Sequence, residues 1–335
     1  MNNLKKIGLT ALAASLVATS AFAGEMAVTG SASMEVQHVD SGSNSGRAFS
    51  MGNQLDFKGS GELDNGLNIT LKFALDQGDN AGSTTAADDN AGAPFDSHSL
   101  SVGNDTLGTL VFAGEGGSSA QSAIDDVVTG DLWDSSFGIT SANKPRNAAA
   151  GDNIMTYTLP TLMDDVKLTA SYVPKGNSTG AVGGDDASST SYAIKYTGIE
   201  GLALGYGRGD NNTTEAAYTD VSTMYATYAI GSLTLGYTAT ASDSESATTT
   251  ADQDYMAYEI GYTVNDQISV TYGVNEIATP NDNSDQDIEV SGIVASYTAG
   301  GMTLKARMID ADNTAHGTAA AEDKSMWELS ASFAF

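Results

Sequence analysis

From Glu25 to the end of the chain apolar side chains recur at every second position, in segments many of which run for about nine to fourteen residues. Met26, Val28, Ala32, Met34 and Val36 alternate with Thr29, Ser31, Ser33, Glu35 and Gln37. Leu67, Ile69, Leu71, Phe73 and Leu75 alternate with Asn68, Thr70, Lys72 and Asp76. A period of two gives a strand one apolar and one polar face. Strands in soluble sandwiches average about five or six residues, whereas segments of this length cross a bilayer at a tilt. The opposite face, dense in Ser, Thr, Gly, Asn and charge, suits a wall against water.

The pattern predicts strands at 25–38, 48–63, 67–77, 96–104, 108–115, 152–159, 165–173, 190–197, 201–208, 220–229, 232–240, 253–263, 267–275, 286–298, 301–310 and 325–335. That is about sixteen, an even number, as bacterial single-chain barrels have. The connections alternate too. Asp64-Asn65-Gly66, Asn104 to Leu107, Ile230-Gly231, Val264-Asn265-Asp266 and Ala299-Gly300 are short; 78–95, 174–189, 209–219, 241–252, 276–285 and 311–324 are long and polar. Short turns on one rim and long loops on the other are a barrel asymmetry that a soluble sandwich has no reason to keep. The expected fold is all-β, a transmembrane antiparallel up-and-down barrel of about sixteen strands.

The first 23 residues are of another kind: Lys5 and Lys6, an apolar stretch from Ile7 to Val17, and Ala21-Phe22-Ala23 before Gly24. This is the pattern of a cleaved secretory signal, leaving 24–335 as a single barrel domain. Losing two lysines takes the net charge from −28 to −30, and a chain so acidic lacks the clustered Lys and Arg that nucleic acid needs. There is no cysteine, hence no disulfide framework. After residue 23 there is no apolar run long enough for a transmembrane helix.

Aromatic residues mark the rims. Tyr196, Tyr228, Tyr262 and Tyr297 each close a strand just before a short turn, where interfacial rings sit with their hydroxyls in water. In the last segment Trp327, Leu329, Ala331, Phe333 and Phe335 share one face. An alternating strand ending on an aromatic residue resembles the C-terminal strand by which outer-membrane barrels are recognised by their insertion machinery.

Gly108-Thr-Leu-Val-Phe-Ala-Gly, a long insert, then Arg146 and Asn153-Ile-Met-Thr-Tyr157-Thr-Leu-Pro160 complete a pattern similar to Gram-negative general porins, of the sixteen-stranded alphaproteobacterial type. The resemblance covers the whole chain after residue 23. It implies an outer-membrane channel for passive diffusion of small hydrophilic solutes and ions, a homotrimer embedded in outer-membrane lipid, and a third long loop that folds inward to narrow the pore. That loop is expected at 115–151. It lacks the short acidic motif of some enterobacterial relatives. It carries Ile124, Val127, Val128, Leu132, Trp133, Phe137 and Ile139, which a loop in solvent would not need but one packed on the inner wall would. Ser122 to Val128 fits a short helix.

An electrostatic constriction follows from this placement. Its acidic side is expected from Glu115, Asp125, Asp126, Asp131 and Asp134, its basic wall from Lys58, Lys72, Arg146, Lys305 and Arg307. If Leu63 faces Leu67 across the Asp64-Asn65-Gly66 turn, Lys58 faces Lys72: like charges side by side that water or a facing anion must offset. Acidic long loops (Asp79, Asp88, Asp89, Asp185, Asp186, Asp243, Glu245, Asp282, Asp285, Asp287) predict a mild cation preference. No cofactor is implied, although such loops are candidates for Ca²⁺. With three histidines (His38, His98, His316) and no nucleophile elbow, zinc helix or phosphate loop, an enzyme is not expected. The rival readings are a substrate-specific outer-membrane channel and an exported β-rich surface or adhesion protein.

Overall fold

The computed structural model describes residues 24–40, 45–76, 96–133, 137, 145–160, 165–174, 187–214, 217–244, 252–279, 286–316 and 323–335. The expected signal, residues 1–23, lies outside them, as do 77–95, 175–186, 245–251 and 280–285 of the long connections.

Sixteen strands form one closed antiparallel barrel in which each strand pairs with its neighbours in sequence. They are β1 (Glu25–Asp40), β2 (Ser45–Glu62), β3 (Asn68–Asp76), β4 (Ser97–Asn104), β5 (Gly108–Glu115), β6 (Ile154–Thr158), β7 (Val166–Val173) and β8 (Ser189–Ile199) in the first half. The second half holds β9 (Leu202–Thr214), β10 (Ala217–Ile230), β11 (Leu233–Ser244), β12 (Gln253–Asn265), β13 (Ile268–Ala278), β14 (Ile288–Ala299), β15 (Met302–Asp312) and β16 (Lys324–Ala334). β1 pairs with β2 on one edge and β16 on the other, so no edge strand is left open.

The registers align the apolar alternates of successive strands into a continuous outer belt. Across the closure Met51, Met34, Ala331 and Leu304 stand in line, and further round Tyr206, Met224, Ala239 and Met256 do the same. Exposed large apolar side chains belong to this set, among them Met34, Leu71, Phe112, Leu235, Ile260 and Leu329. An apolar outer face has no counterpart in a water-soluble barrel. Phe57 and Phe73 stack in it at a centroid distance of 4.9 Å.

One expected long loop is not a loop. β9 continues to Thr214 and β10 begins at Ala217, with a register irregularity at Ala217/Tyr218, so most of 209–219 is a strand pair. Above the lipid belt neither face must be apolar, so the period-two signal fades while the backbone ladder continues. There Asp210, Asp220 and Asp243 stand directly opposite one another on the outer face.

Candidate functional site

Loop L3, residues 116–153, joins β5 to β6 and touches the face opposite the apolar belt, which is the inside of the barrel. Its first 3-10 turn is Ser122–Val127 and its second Gly130–Leu132. At its start the Ala120 amide donates to Ser191 Oγ at 2.9 Å. The fully buried Gln121 gives Nε2 to Thr223 Oγ1 at 2.7 Å and accepts from the Ala148 amide at 2.8 Å. Ile124 packs with Ala193 and Tyr225.

In the middle, the Thr129 amide donates to Glu259 Oε2 at 3.1 Å, and Asn275 Nδ2 donates to Thr129 O at 3.2 Å. Thr129 adopts φ 58°, the left-handed region uncommon for a non-glycine residue, as these two contacts hold it. Val128, Leu132 and Phe137 join a buried cluster with the inward Ile277, Ile288, Val290, Val294 and Ile309. Here the inner wall is apolar because a loop covers it.

At the far end Lys305 Nζ reaches Asp131 Oδ1 at 2.7 Å, and Arg307 Nη1 donates to Asp131 O at 2.9 Å. Arg307 also pairs with the buried Glu328, and Lys324 donates to Phe137 O. Three inward glycines make room for the loop. A Cβ on Gly207 would lie 2.9 Å from Ile124 Cδ1, and one on Gly236 2.9 Å from Val128 Cγ2; Gly273 sits under Thr129.

The contacts of L3 thus fall on strands from β6, where Thr156 Oγ1 donates to Ser118 O at 3.2 Å, to β16, and the wall of β2 and β3 faces the lumen. Lys58 and Lys72 are direct cross-strand partners there, both exposed, the pairing expected from the turn. Among the described residues neither forms an ion pair.

The expected basic wall is therefore not one cluster. Lys305 and Arg307 do not face the loop's acid across the pore; they hold Asp131 on the near wall, because β15 lies where L3 ends. Arg146 sits on the returning limb of L3, where burial lowers its guanidinium pKa and Asp252 opposes that shift. Glu115 pairs with His98 across a register irregularity at the top of β5, away from Asp131, because the bulge at Gly114 breaks the alternation there. Asp125 and Asp126 lie in the first 3-10 turn with side chains outside the described residues, and Asp134 is wholly outside them.

Tyr228, Tyr262 and Tyr297 are exposed on the outer face near the short turns, with Tyr196 in the same register and partly covered. Phe333 pairs with Ala32 and Met302, and Phe335 is exposed beside Gly30. Among the described residues no three His, Cys, Asp or Glu side chains gather into a metal-binding group. The loop acids that suggested Ca²⁺ lie outside the described residues, except Asp243 and Asp287. The periodicity did not reveal Gln121, Glu259 or Asn275 as loop anchors, or Glu328 as the partner of Arg307. The inward glycines were the available signal, since glycine within a strand marks a close approach.

A closed sixteen-strand barrel with a lipid-compatible belt and a loop docked along part of its polar inner face has the architecture of an outer-membrane channel. The model of the Gram-negative porins matches residues 8–289, and the chain belongs to that family. None of the curated proteins matches it. Among solved structures it is similar to the anion-selective porin of Comamonas acidovorans at 14% identity and TM-score 0.68, covering 93% of this chain and 100% of that one. OmpT of Vibrio cholerae in a trimer form is similar at 14% and 0.67, covering 93% and 100%. A mutant of the Rh. blastica porin is similar at 15% and 0.63, again covering 93% and 100%.

Proposed function

We propose that the chain, exported by a cleaved 1–23 signal, forms a water-filled channel for passive diffusion of small hydrophilic solutes and ions. The observation that carries this reading is the one-sided docking of L3. The loop is fastened to the β6–β16 wall, and the wall bearing Lys58 and Lys72 faces an open passage. An interior of sixteen strands is too wide for side chains to fill, so the loop sets the size limit without any chemical step. No cofactor is needed.

Selectivity is proposed to be mildly cationic. The Comamonas porin of the same fold is anion-selective, so side chains rather than the barrel decide the sign. Here the long-loop sequences carry the carboxylates, Asp79, Asp88, Asp89, Asp185, Asp186, Glu245, Asp282 and Asp285 among them. Rings of acidic groups favour cations. The tyrosines are proposed to sit at the periplasmic headgroups, and the terminal strand to guide insertion. A homotrimer is proposed by analogy with the trimeric Vibrio protein; the outward Ala32, Gly59 and Gly61 allow close approach between barrels.

Liposome swelling tests the pore. Vesicles containing the purified chain should admit small sugars and exclude larger ones. Vesicles that stay tight to all of them would refute the reading.

A further inference from the structure

A second lysine pair stands on the inner wall, apart from the constriction. Lys167 in β7 and Lys195 in β8 are direct cross-strand partners. They share the face of Ser171 and Ser191, which meet L3, so both point into the lumen. Lys195 Nζ donates to Ala123 O beneath the first 3-10 turn at 3.2 Å. Lys167 stands next to the short-turn end of β7 and is exposed. The pair therefore lies between the docked loop and the periplasmic mouth.

The other inward cations near L3 are already engaged: Lys305 by Asp131, Arg307 by Glu328 and Lys324 by Phe137 O. Among the described residues Lys167 and Lys195 form no ion pair, with Asp165, the carboxylate two residues away, or with any other. Directly opposed like charges repel. Their Cα atoms are about 5 Å apart in any antiparallel pair, so two flexible ammonium groups can converge on one ligand. Thr158 and Thr169, whose hydroxyls lie 3.5 Å apart, offer further donors on the same face.

We infer that Lys167 and Lys195 form a subsite for small dianions, with two anionic oxygens bridging the two ammonium groups. The inference rests on the pore reading and adds a solute preference to it. An acidic outer rim and a basic patch at the inner exit act at different points along the same passage, and at about 0.1 M salt their fields are screened from each other beyond about 10 Å.

The test is chloride current through the full chain in a planar bilayer, with inorganic phosphate added at a pH where it is a dianion. Wild type should show a saturable fall in current. In the Lys167→Gln/Lys195→Gln variant the half-blocking concentration should rise on the order of tenfold. Lys167→Gln alone, which leaves the Lys195–Ala123 contact to L3 in place, should weaken the block by a smaller factor than the double variant. Lys167→Arg/Lys195→Arg should keep it, and Lys58→Gln/Lys72→Gln should leave it in place. Absence of saturation in wild type, an unchanged block in the double Gln variant, or loss of the block only in the Lys58/Lys72 variant would overturn the inference. A chain that forms no channel at all would instead overturn the pore reading beneath it.

Discussion

Phe335 and Gly30 exchange two backbone hydrogen bonds, Gly30 N to Phe335 O at 2.7 Å and Phe335 N to Gly30 O at 2.9 Å, joining the last residue of the chain to its first strand. The ring lies over Gly30 so closely that a Cβ there would sit 2.5 Å from Phe335 Cε2. The contact extends by one rung the β1–β16 ladder that closes the barrel. Deleting Phe335 removes both bonds, each worth about 1 kcal/mol, together with the ring. We expect several-fold less folded barrel, and a smaller loss for Gly30→Val, where the ring must move. The shift between heated and unheated samples on a denaturing gel measures the folded fraction; equal yields would show that closure does not need the terminal residue.

L3 should loosen when its buried anchor is cut. Gln121→Leu leaves the buried Ala148 amide without its acceptor and takes one partner from Thr223 Oγ1, which keeps Thr240 Oγ1, at a cost of about 1–3 kcal/mol. Since the loop contributes little to the barrel's own ladder, the loss should appear locally. Trypsin should cut after Arg146 several times faster, with a noisier open channel and a nearly unchanged unfolding midpoint.

Arg307 and Glu328 form an ion pair with side-chain exposures of 12% and 3%. Removing one partner leaves a buried charge, typically costing about 3–5 kcal/mol. Glu328→Ala should therefore destabilise strongly in denaturant titration, and Arg307→Met/Glu328→Leu should recover most of the loss. A double variant as unstable as the single one would show that the pair adds stability of its own.

Lys305 and Asp131 behave differently. With Asp131 at 62% exposure, this pair should be worth less than about 1 kcal/mol. Asp131→Asn should leave stability alone but release an ammonium group into the passage. We expect the reversal potential across a salt gradient to move toward anions. Lys58→Gln/Lys72→Gln should move it toward cations.

What the sequence revealed follows from which distances the chain itself fixes. The Lys58–Lys72 register was legible because a three-residue turn, Asp64-Asn65-Gly66, leaves one way to lay Leu63 against Leu67. The Lys167–Lys195 register was not, because the connection from Val173 to Ser189 is long and leaves the offset free. The belt was legible wherever lipid demands an apolar alternate; beyond Arg208 that demand ends, and β9 continued unseen to Thr214. The apolar content of L3 implied docking, but its partners lie far away in sequence. Thr129 meets Asn275 across 146 residues and Lys324 meets Phe137 across 187, and no local pattern encodes such pairs. For the same reason the period of β15 alone does not disclose that Lys305 and Arg307 meet Asp131.

The chain has no cysteine, so single cysteines placed along β2 can report each side chain's surroundings without background. Asp56→Cys and Lys58→Cys should react with a charged, membrane-impermeant thiol reagent and lose current on modification, whereas Phe57→Cys in reconstituted bilayers should stay unlabelled. Equal labelling at all three positions, or labelling at 57 alone, would contradict a wall that is wet on one face and lipid-bound on the other.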